Sequence, residues 1–264
     1  MIHNKDIIFS LQKITISILL VLCFASSILQ AAEEEQTVAL ELYPQWLSQE
    51  DYSVQGNIGI EKDFQSDDWV EYYTKPSIAY ALDGNWALHG GLGLYYTDNK
   101  SSDNNFEIRP FQGISHFHPL TEKWKLSTYF RAEERFQYNT NTWDEETTLR
   151  LRLRFRTNYK FNPLSTKHSW HQLTLGVEGF RSNNDDQSNT DIQDNYTYES
   201  HVTFGLERSL SEQNKLRFEL SWKYQVPPSD ISESSVNTFY FKIQYYPIWG
   251  EVLRNKLFDR GIDE

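Results

Sequence analysis

The chain has 264 residues, is 39% hydrophobic and 15% aromatic, and combines 8 Trp, 16 Tyr and 16 Phe with a mean hydropathy of −0.64. Such a stock of large rings excludes intrinsic disorder, and after residue 31 no uncharged apolar run of about 18 residues appears, which excludes a bundle of membrane helices. With 25 basic against 37 acidic residues, the net charge of −12 has the wrong sign for a nucleic-acid partner.

Residues 1–31 read as a secretory signal peptide. Lys5 and Lys13 are followed by the apolar run from Ile14 to Phe24, then by Ser26, Ser27, Ala31 and Ala32, and then by the acidic Glu33 to Glu35. The one cysteine, Cys23, lies inside this segment behind Leu22, where a lipidated signal needs a small residue. The mature chain is therefore expected to carry neither a lipid anchor nor a disulfide. Residues 32–51 read as a periplasmic lead-in, although Thr37 to Trp46 also alternates and, as an eleventh strand, would demand a twelfth.

From residue 52 onward apolar side chains fall on every second position, the signature of strands with two unlike faces. Ten strands are predicted, over 52–62, 69–82, 86–97, 106–118, 124–138, 147–161, 170–181, 195–209, 215–225 and 236–247. In the strand from 106 to 118, strict alternation would put Gln112 on the apolar face, so Pro110 is expected to mark a bulge that resets the register. The connections alternate between short turns and longer loops rich in Asp, Asn and Ser, and the five long loops together carry a net charge of −12. Even strand number, short turns on one side and long loops on the other describe a transmembrane antiparallel β-barrel of the bacterial outer membrane, ten-stranded with twelve as the alternative. In this reading the barrel spans 52–247 and a periplasmic tail covers 248–264. Trp86, Trp124 and Trp170 each open a strand after a short turn, where amphipathic rings line a membrane interface. Tyr96, Phe106, Tyr138, Trp143, Tyr196 and Tyr224 would ring the other edge. A soluble sandwich or lipocalin-like barrel alternates in the same way and is the competing architecture.

The segment from Thr147 to Phe161 separates its two faces most sharply. Leu149, Leu151, Leu153 and Phe155 alternate with Arg150, Arg152, Arg154 and Arg156. Alternate positions on a strand are about 6.7 Å apart, so the four arginines form a ladder roughly 20 Å long. Facing lipid, each would cost about 2 to 4 kcal/mol at mid-bilayer, so the ladder is assigned to the lumen. Arg131, Glu133 and Arg135 on one side, Glu178 and Glu199 on the other, and Arg217 and Lys223 further round are assigned with it. If arginines outnumber their carboxylate partners, the lumen is a narrow channel favouring small anions or acidic oligosaccharides. If the partners are complete, the same residues plug a closed barrel with a structural or surface role. Eight strands are filled by side chains and sixteen leave a channel, so strand number does not choose between them.

Catalysis is not expected. His89, His116, His118, His168, His171 and His201 stand in no His-x-Ser-Asn segment, and Ser115, Ser169 and Ser200 are sequence neighbours of histidines that would point to the opposite face. His116 and His118 share a face, but no third metal ligand accompanies them. In the long loop at 182–194, Asp185, Asp186, Asp191 and Asp194 are weighed as a divalent-cation site and read as a solvated rim, because their spacing matches no calcium loop. No cofactor is implied. The expected partners are outer-membrane lipid, lipopolysaccharide and small anionic solutes, with the barrel a monomer in the outer membrane of a Gram-negative cell.

The run Glu107-Ile108-Arg109-Pro110-Phe111-Gln112-Gly113, the run Arg131-Ala132-Glu133-Glu134-Arg135-Phe136 and the stretch Leu149 to Phe155 resemble a family of bacterial outer-membrane barrels known only as a domain of unknown function. The likeness is carried by about residues 105 to 160. A looser similarity runs to the oligogalacturonate-specific porins, and it implies Arg109 as a further lumen residue alongside Arg131, Arg135 and the ladder. Pro247 and the charged stretch to Glu264 depart from the terminal aromatic residue on which such barrels often end.

Overall fold

The computed structural model describes residues 33–49, 51–64, 68–82, 85–161, 170–184, 196–210, 214–226 and 235–248. Its strands are β1 (Glu33–Leu42), β2 (Gln45–Ser48), β3 (Tyr52–Gln55), β4 (Ile58–Asp63), β5 (Trp69–Thr74), β6 (Ser77–Ala81), β7 (Trp86–Asn99), β8 (Asn105–Pro119), β9 (Trp124–Asn139), β10 (Glu145–Lys160), β11 (Trp170–Asn184), β12 (Tyr196–Ser209), β13 (Lys215–Val226) and β14 (Val236–Tyr246). Among the described residues no helix is long and apolar enough to cross a membrane. The expected signal peptide, all but the first residue of the expected tail, His168, Ser169 and the acids Asp185, Asp186, Asp191 and Asp194 lie outside the described residues.

One sheet contains all fourteen strands, and pairing of β7 with β8 closes it into a barrel. Three of its wall strands are bent in the middle. β1 continues into β2 past Pro44, β3 into β4 past Gly56 and Asn57, and β5 into β6 past Lys75 and Pro76. These bends lie side by side, because the hydrogen-bond ladder carries on across them: Gly56 donates to the Pro44 carbonyl at 3.0 Å, Asn57 to that of Lys75 at 3.2 Å and Leu92 to that of Pro76 at 3.1 Å. Proline has no N–H for the ladder, and a glycine admits close approach from a neighbour. A methyl group at Gly56 would lie 2.6 Å from the Trp46 ring.

The wall therefore has eleven strands among the described residues, not ten or twelve. The ten predicted strands are present, and residues 33–48, set aside above as a lead-in, supply the eleventh. β1 pairs with β4 antiparallel and with β14 parallel, from Glu33 beside Val236 to Leu42 beside Tyr245, and a bridge from Gln45 to Ile248 prolongs that seam. Even numbers follow only when the first and last strands close antiparallel; a parallel seam closes an odd count without a partner strand. It also sends the two ends of the wall to opposite rims. β1 starts at the rim of the longer loops, beside the start of β14, and β14 ends at the rim of the short turns.

The two faces of the wall differ as alternation requires. Leu149, Leu151, Leu153 and Phe155 are 37–47% exposed on the outside, whereas Arg131 and Glu133 are 6% and 0% exposed on the inside. The bulge expected at Pro110 is absent. β8 keeps one register with β9 on both sides of it, from Asn105 beside Asn139 to Pro119 beside Lys125. Arg109 and Pro110 merely drop out of that ladder, consistent with proline's missing donor, and Gln112 is left exposed on the outer face.

Trp86, Trp124 and Trp170 stand outward on the short-turn rim against His116, Tyr159 and Phe218. At the other rim Tyr96, Phe106 and Tyr138 are successive register neighbours. Trp143 does not join them. It lies beyond the strand ends in the turn between β9 and β10, exposed and at φ 62°, a left-handed conformation that costs a bulky residue about 1 to 2 kcal/mol. On the inner wall near the short turns, Ala79, Ala81, Ala87 and Phe117 form a buried apolar cluster.

Candidate functional site in the barrel lumen

Register places the arginine ladder of β10 between two strands that answer it residue by residue. On β9, Arg150 faces Glu133, Arg152 faces Arg131 and Arg154 faces Tyr129. On β11, Arg152 faces Phe180, Arg154 faces Glu178 and Arg156 faces Gly176. All four point inward because Leu149 to Phe155 occupy the opposite face of the same strand.

Three carboxylates organise most of the cationic side. Glu133 is fully buried, with Arg131 Nε at 2.7 Å, Arg150 Nη2 at 2.7 Å and Arg109 Nε at 3.8 Å. Arg150 donates to it through both Nε and Nη2, while Arg131 Nε is out of line for a hydrogen bond, so charge alone joins that pair. Glu107 accepts from Arg109 Nε at 2.6 Å and from Arg135 Nε and Nη2 at 2.8 and 2.9 Å. Glu178 accepts from Arg152 through Nε and, at 3.0 Å, through Nη2. Round the wall, Glu199 lies 3.9 Å from Lys223 Nζ and 3.5 Å from His201, and Glu207 lies 2.9 Å from the buried Arg217.

Aromatic rings form the bed on which the guanidinium groups lie. Arg109 stacks on Tyr95 with its centre 3.9 Å from the ring, Arg131 on Phe111 at 3.8 Å and Arg154 on Tyr129 at 4.9 Å; Phe180 serves both Arg150 and Arg152. These rings lie flat against the wall because glycines stand beneath some of them. A methyl at Gly113 would meet the Tyr129 ring at 2.8 Å and the Phe130 carbonyl at 2.7 Å. A guanidinium held between a ring and a carboxylate keeps its planar fork in a fixed direction.

The lumen holds a cavity of about 380 Å³. Arg109, Arg131, Arg135, Arg150, Arg152, Arg154, Arg156, Glu178, Glu199, Arg217 and Lys223 all line it, and Glu133 sits behind that lining. Eleven lysines and arginines border the cavity against six glutamates. Adding Glu107, Glu133 and Glu207, which pair with these cations from behind the lining, still leaves cations in excess.

The opposite side of the cavity was not anticipated. It carries Glu41, Glu61 and Glu71 with Lys75 and Lys242 between them, so arginines on β8–β10 face carboxylates on β1, β4 and β5. Glu61 and Glu71 are direct cross-strand partners. Glu41 accepts from Tyr43 at 3.0 Å, from Gln244 at 2.6 Å and from Tyr73, and lies 4.0 Å from Lys242 Nζ. It escaped notice because its strand was set aside as a lead-in. Glu61 could have been found from the alternation of Ile58 and Ile60 with Gly59 and Glu61. The aromatic bed had no comparable signal, since a tyrosine on a strand suits either face.

Two histidine contacts lie away from the cavity. His89 Nε2 is 2.7 Å from the Ser115 hydroxyl on the buried inner wall, a cross-strand pairing that reading serines only beside their sequence-neighbouring histidines could not reveal. His116 Nδ1 is 2.9 Å from His118 Nε2, with Trp86 packed against His116. Among the described residues no group of three His, Cys, Asp or Glu is placed to hold a metal ion.

No curated protein matches the chain. A family model does, over residues 43–232, a span that takes in the lumen arginines and stops short of the two strands of the parallel seam. The chain belongs to the family described as "Protein of unknown function (DUF2490)".

Proposed function

We propose that the protein is a monomeric integral β-barrel of the Gram-negative outer membrane whose lumen is a narrow channel favouring small anions. The charge balance of the cavity carries this reading: its walls hold eleven cationic side chains against six carboxylates, with Glu107, Glu133 and Glu207 behind them still leaving cations in excess, inside a cylinder whose outer face is largely aliphatic and aromatic. Strands β7–β13 are 12 to 16 residues long, more than the roughly 9 to 11 that a tilted strand needs to cross a bilayer. An outer face of that kind is at home among acyl chains and would be a large unpartnered apolar patch in water. With the longer acidic loops outside, lipopolysaccharide and outer-membrane phospholipid surround the barrel, and anions move along the arginine side of the cavity under the field set up by the facing carboxylates.

A closed barrel with a structural or surface role is the second reading. It is favoured by the buried Ala79, Ala81, Ala87 and Phe117 on the inner wall near the short turns, which fill space that a wide passage would leave to water. Planar-bilayer recordings on the purified protein separate the two. A channel gives anion-biased steps that shrink when Arg152 and Arg154 are replaced by Ala. Silence at every voltage transfers the case to the closed barrel, and turnover of lipid or lipopolysaccharide by the same preparation would argue for an enzyme instead of either.

A further inference from the structure

The ladder of β10 is not uniform, and its lower half differs from its upper half in what answers it. Arg150 is taken by Glu133 and Arg152 by Glu178, each through two nitrogens. Arg154 has Glu178 as its register partner on β11, but both oxygens of that carboxylate are committed to Arg152. Arg154 is left on the Tyr129 ring, with no carboxylate in ion-pair range among the described residues and its buried Nε without a hydrogen-bond partner. One step further along, the row across the wall reads Arg156, Gly176, Thr203, Ser221. Gly176 puts no side chain into the lumen, and the Thr203 and Ser221 hydroxyls stand 3.1 Å apart beyond it. All of these residues line the cavity. Ser221 donates to the Glu219 carboxylate at 3.3 Å, which leaves Thr203 as the donor to Ser221. The result is a bay with guanidinium groups on one side, a hydroxyl pair backed by Glu219 on the other and the bare backbone of Gly176 between.

The geometry points to a binding site for the oxyanion group of a small solute, a phosphate or a carboxylate, in the bay formed by Arg154, Arg156, Gly176, Thr203 and Ser221. The inference rests on reading the lumen as anion-favouring and adds to it a defined station with a ligand class. A guanidinium without a carboxylate offers a planar fork that matches two oxygens of such a group, and the Thr203 hydroxyl, by turning its hydrogen away from Ser221, supplies a donor to a third. Chloride is a single spherical atom and cannot meet both arms of that fork in line, so the bay discriminates between anions by shape as well as charge.

Calorimetric titration of the full-length barrel in detergent, with inorganic phosphate and with succinate at constant ionic strength made up with chloride, tests this. Saturable binding of at least one probe is expected, and which of them binds distinguishes phosphate from carboxylate recognition. Arg154→Gln removes no ion pair of the wall and is expected to weaken binding by about tenfold or more, the worth of one lost charge-assisted contact. Glu178→Gln raises the positive charge of the bay and is expected to tighten it. Heats no different from the chloride control, or affinities that move in neither variant although both run as folded barrels, overturn the site. Bilayer recordings on the same preparation keep the two ideas apart: saturable binding with silent bilayers removes the channel and leaves the site, and anion-biased current without saturable binding does the reverse.

Discussion

Glu133 shows how one buried side chain holds a crowded interior together. It is wholly buried and lies within 4 Å of Arg109, Arg131 and Arg150, which come from three adjacent strands. Removing one partner of a buried ion pair leaves the other charge desolvated and uncompensated, which costs about 3 to 5 kcal/mol. Glu133→Gln is therefore expected to lower the stability of the folded barrel by about that amount in urea titrations into lipid vesicles. Glu134→Gln, one residue along and exposed on the outer face, is expected to change it by under about 0.5 kcal/mol. Equal effects would mean that the three guanidiniums do not depend on Glu133. The same logic explains why arginine serves in the ladder: its fork reaches a carboxylate with two nitrogens while its face rests on Tyr95, Phe111, Tyr129 or Phe180, which an ammonium could not do as well.

At the scale of the element, the seam between β1 and β14 is the junction on which closure depends. Parallel pairing is slightly weaker per residue than antiparallel pairing, and here it is reinforced from inside. Glu41 accepts from Gln244 across the seam at 2.6 Å, and Glu35 accepts from Thr238 at 3.1 Å. Glu41 also accepts from Asn57 and Tyr73, which ties the seam to the bent strands beside it. Leu40 and Ile243 are register partners on the outer side of this junction. Leu40→Cys combined with Ile243→Cys is expected to form a disulfide on mild oxidation, seen as a shift in non-reducing electrophoresis of the unfolded chain. Leu40→Cys with Phe218→Cys, the register partner of Ile243 one strand further away at about 10 Å, is expected to stay reduced. Cross-linking in the second pair and not in the first would show that β1 does not sit beside β14. The bends at Pro44, Gly56 and Pro76 belong to the same region, where three adjacent strands turn together without losing their ladder.

For the whole molecule, the decisive property is the opposition of an apolar outside to a charged inside. Leu153→Arg places a cation on the outer wall between two residues that already point cations inward. In a bilayer this is expected to cost about 2 to 4 kcal/mol near mid-depth, measured as reduced folding into vesicles of fixed thickness. Arg152→Leu changes the lumen instead and is expected to act through the loss of the Glu178 pair. A Leu153→Arg barrel as stable in vesicles as the parent would mean that Leu153 does not face lipid, and the membrane reading would fall with it.

Much of this was readable without coordinates, because side-chain direction on a strand is a local property. Alternation in residues 147–161 already separates Leu149, Leu151, Leu153 and Phe155 from the four arginines, and the same period of two assigned Arg131, Glu133, Arg135, Glu178 and Glu199 to the face that lines or backs the cavity. What no local pattern contains is which strand lies beside which. The partner of Glu33 is Val236, a parallel contact between the two ends of the wall, and it alone turned ten strands into eleven and set the ends of the wall at opposite rims. Whether an arginine is neutralised is decided in the same way: Arg152 and Arg154 are indistinguishable along the chain, and only the fold of β11 and β9 against β10 gives both oxygens of Glu178 to the first and the Tyr129 ring to the second.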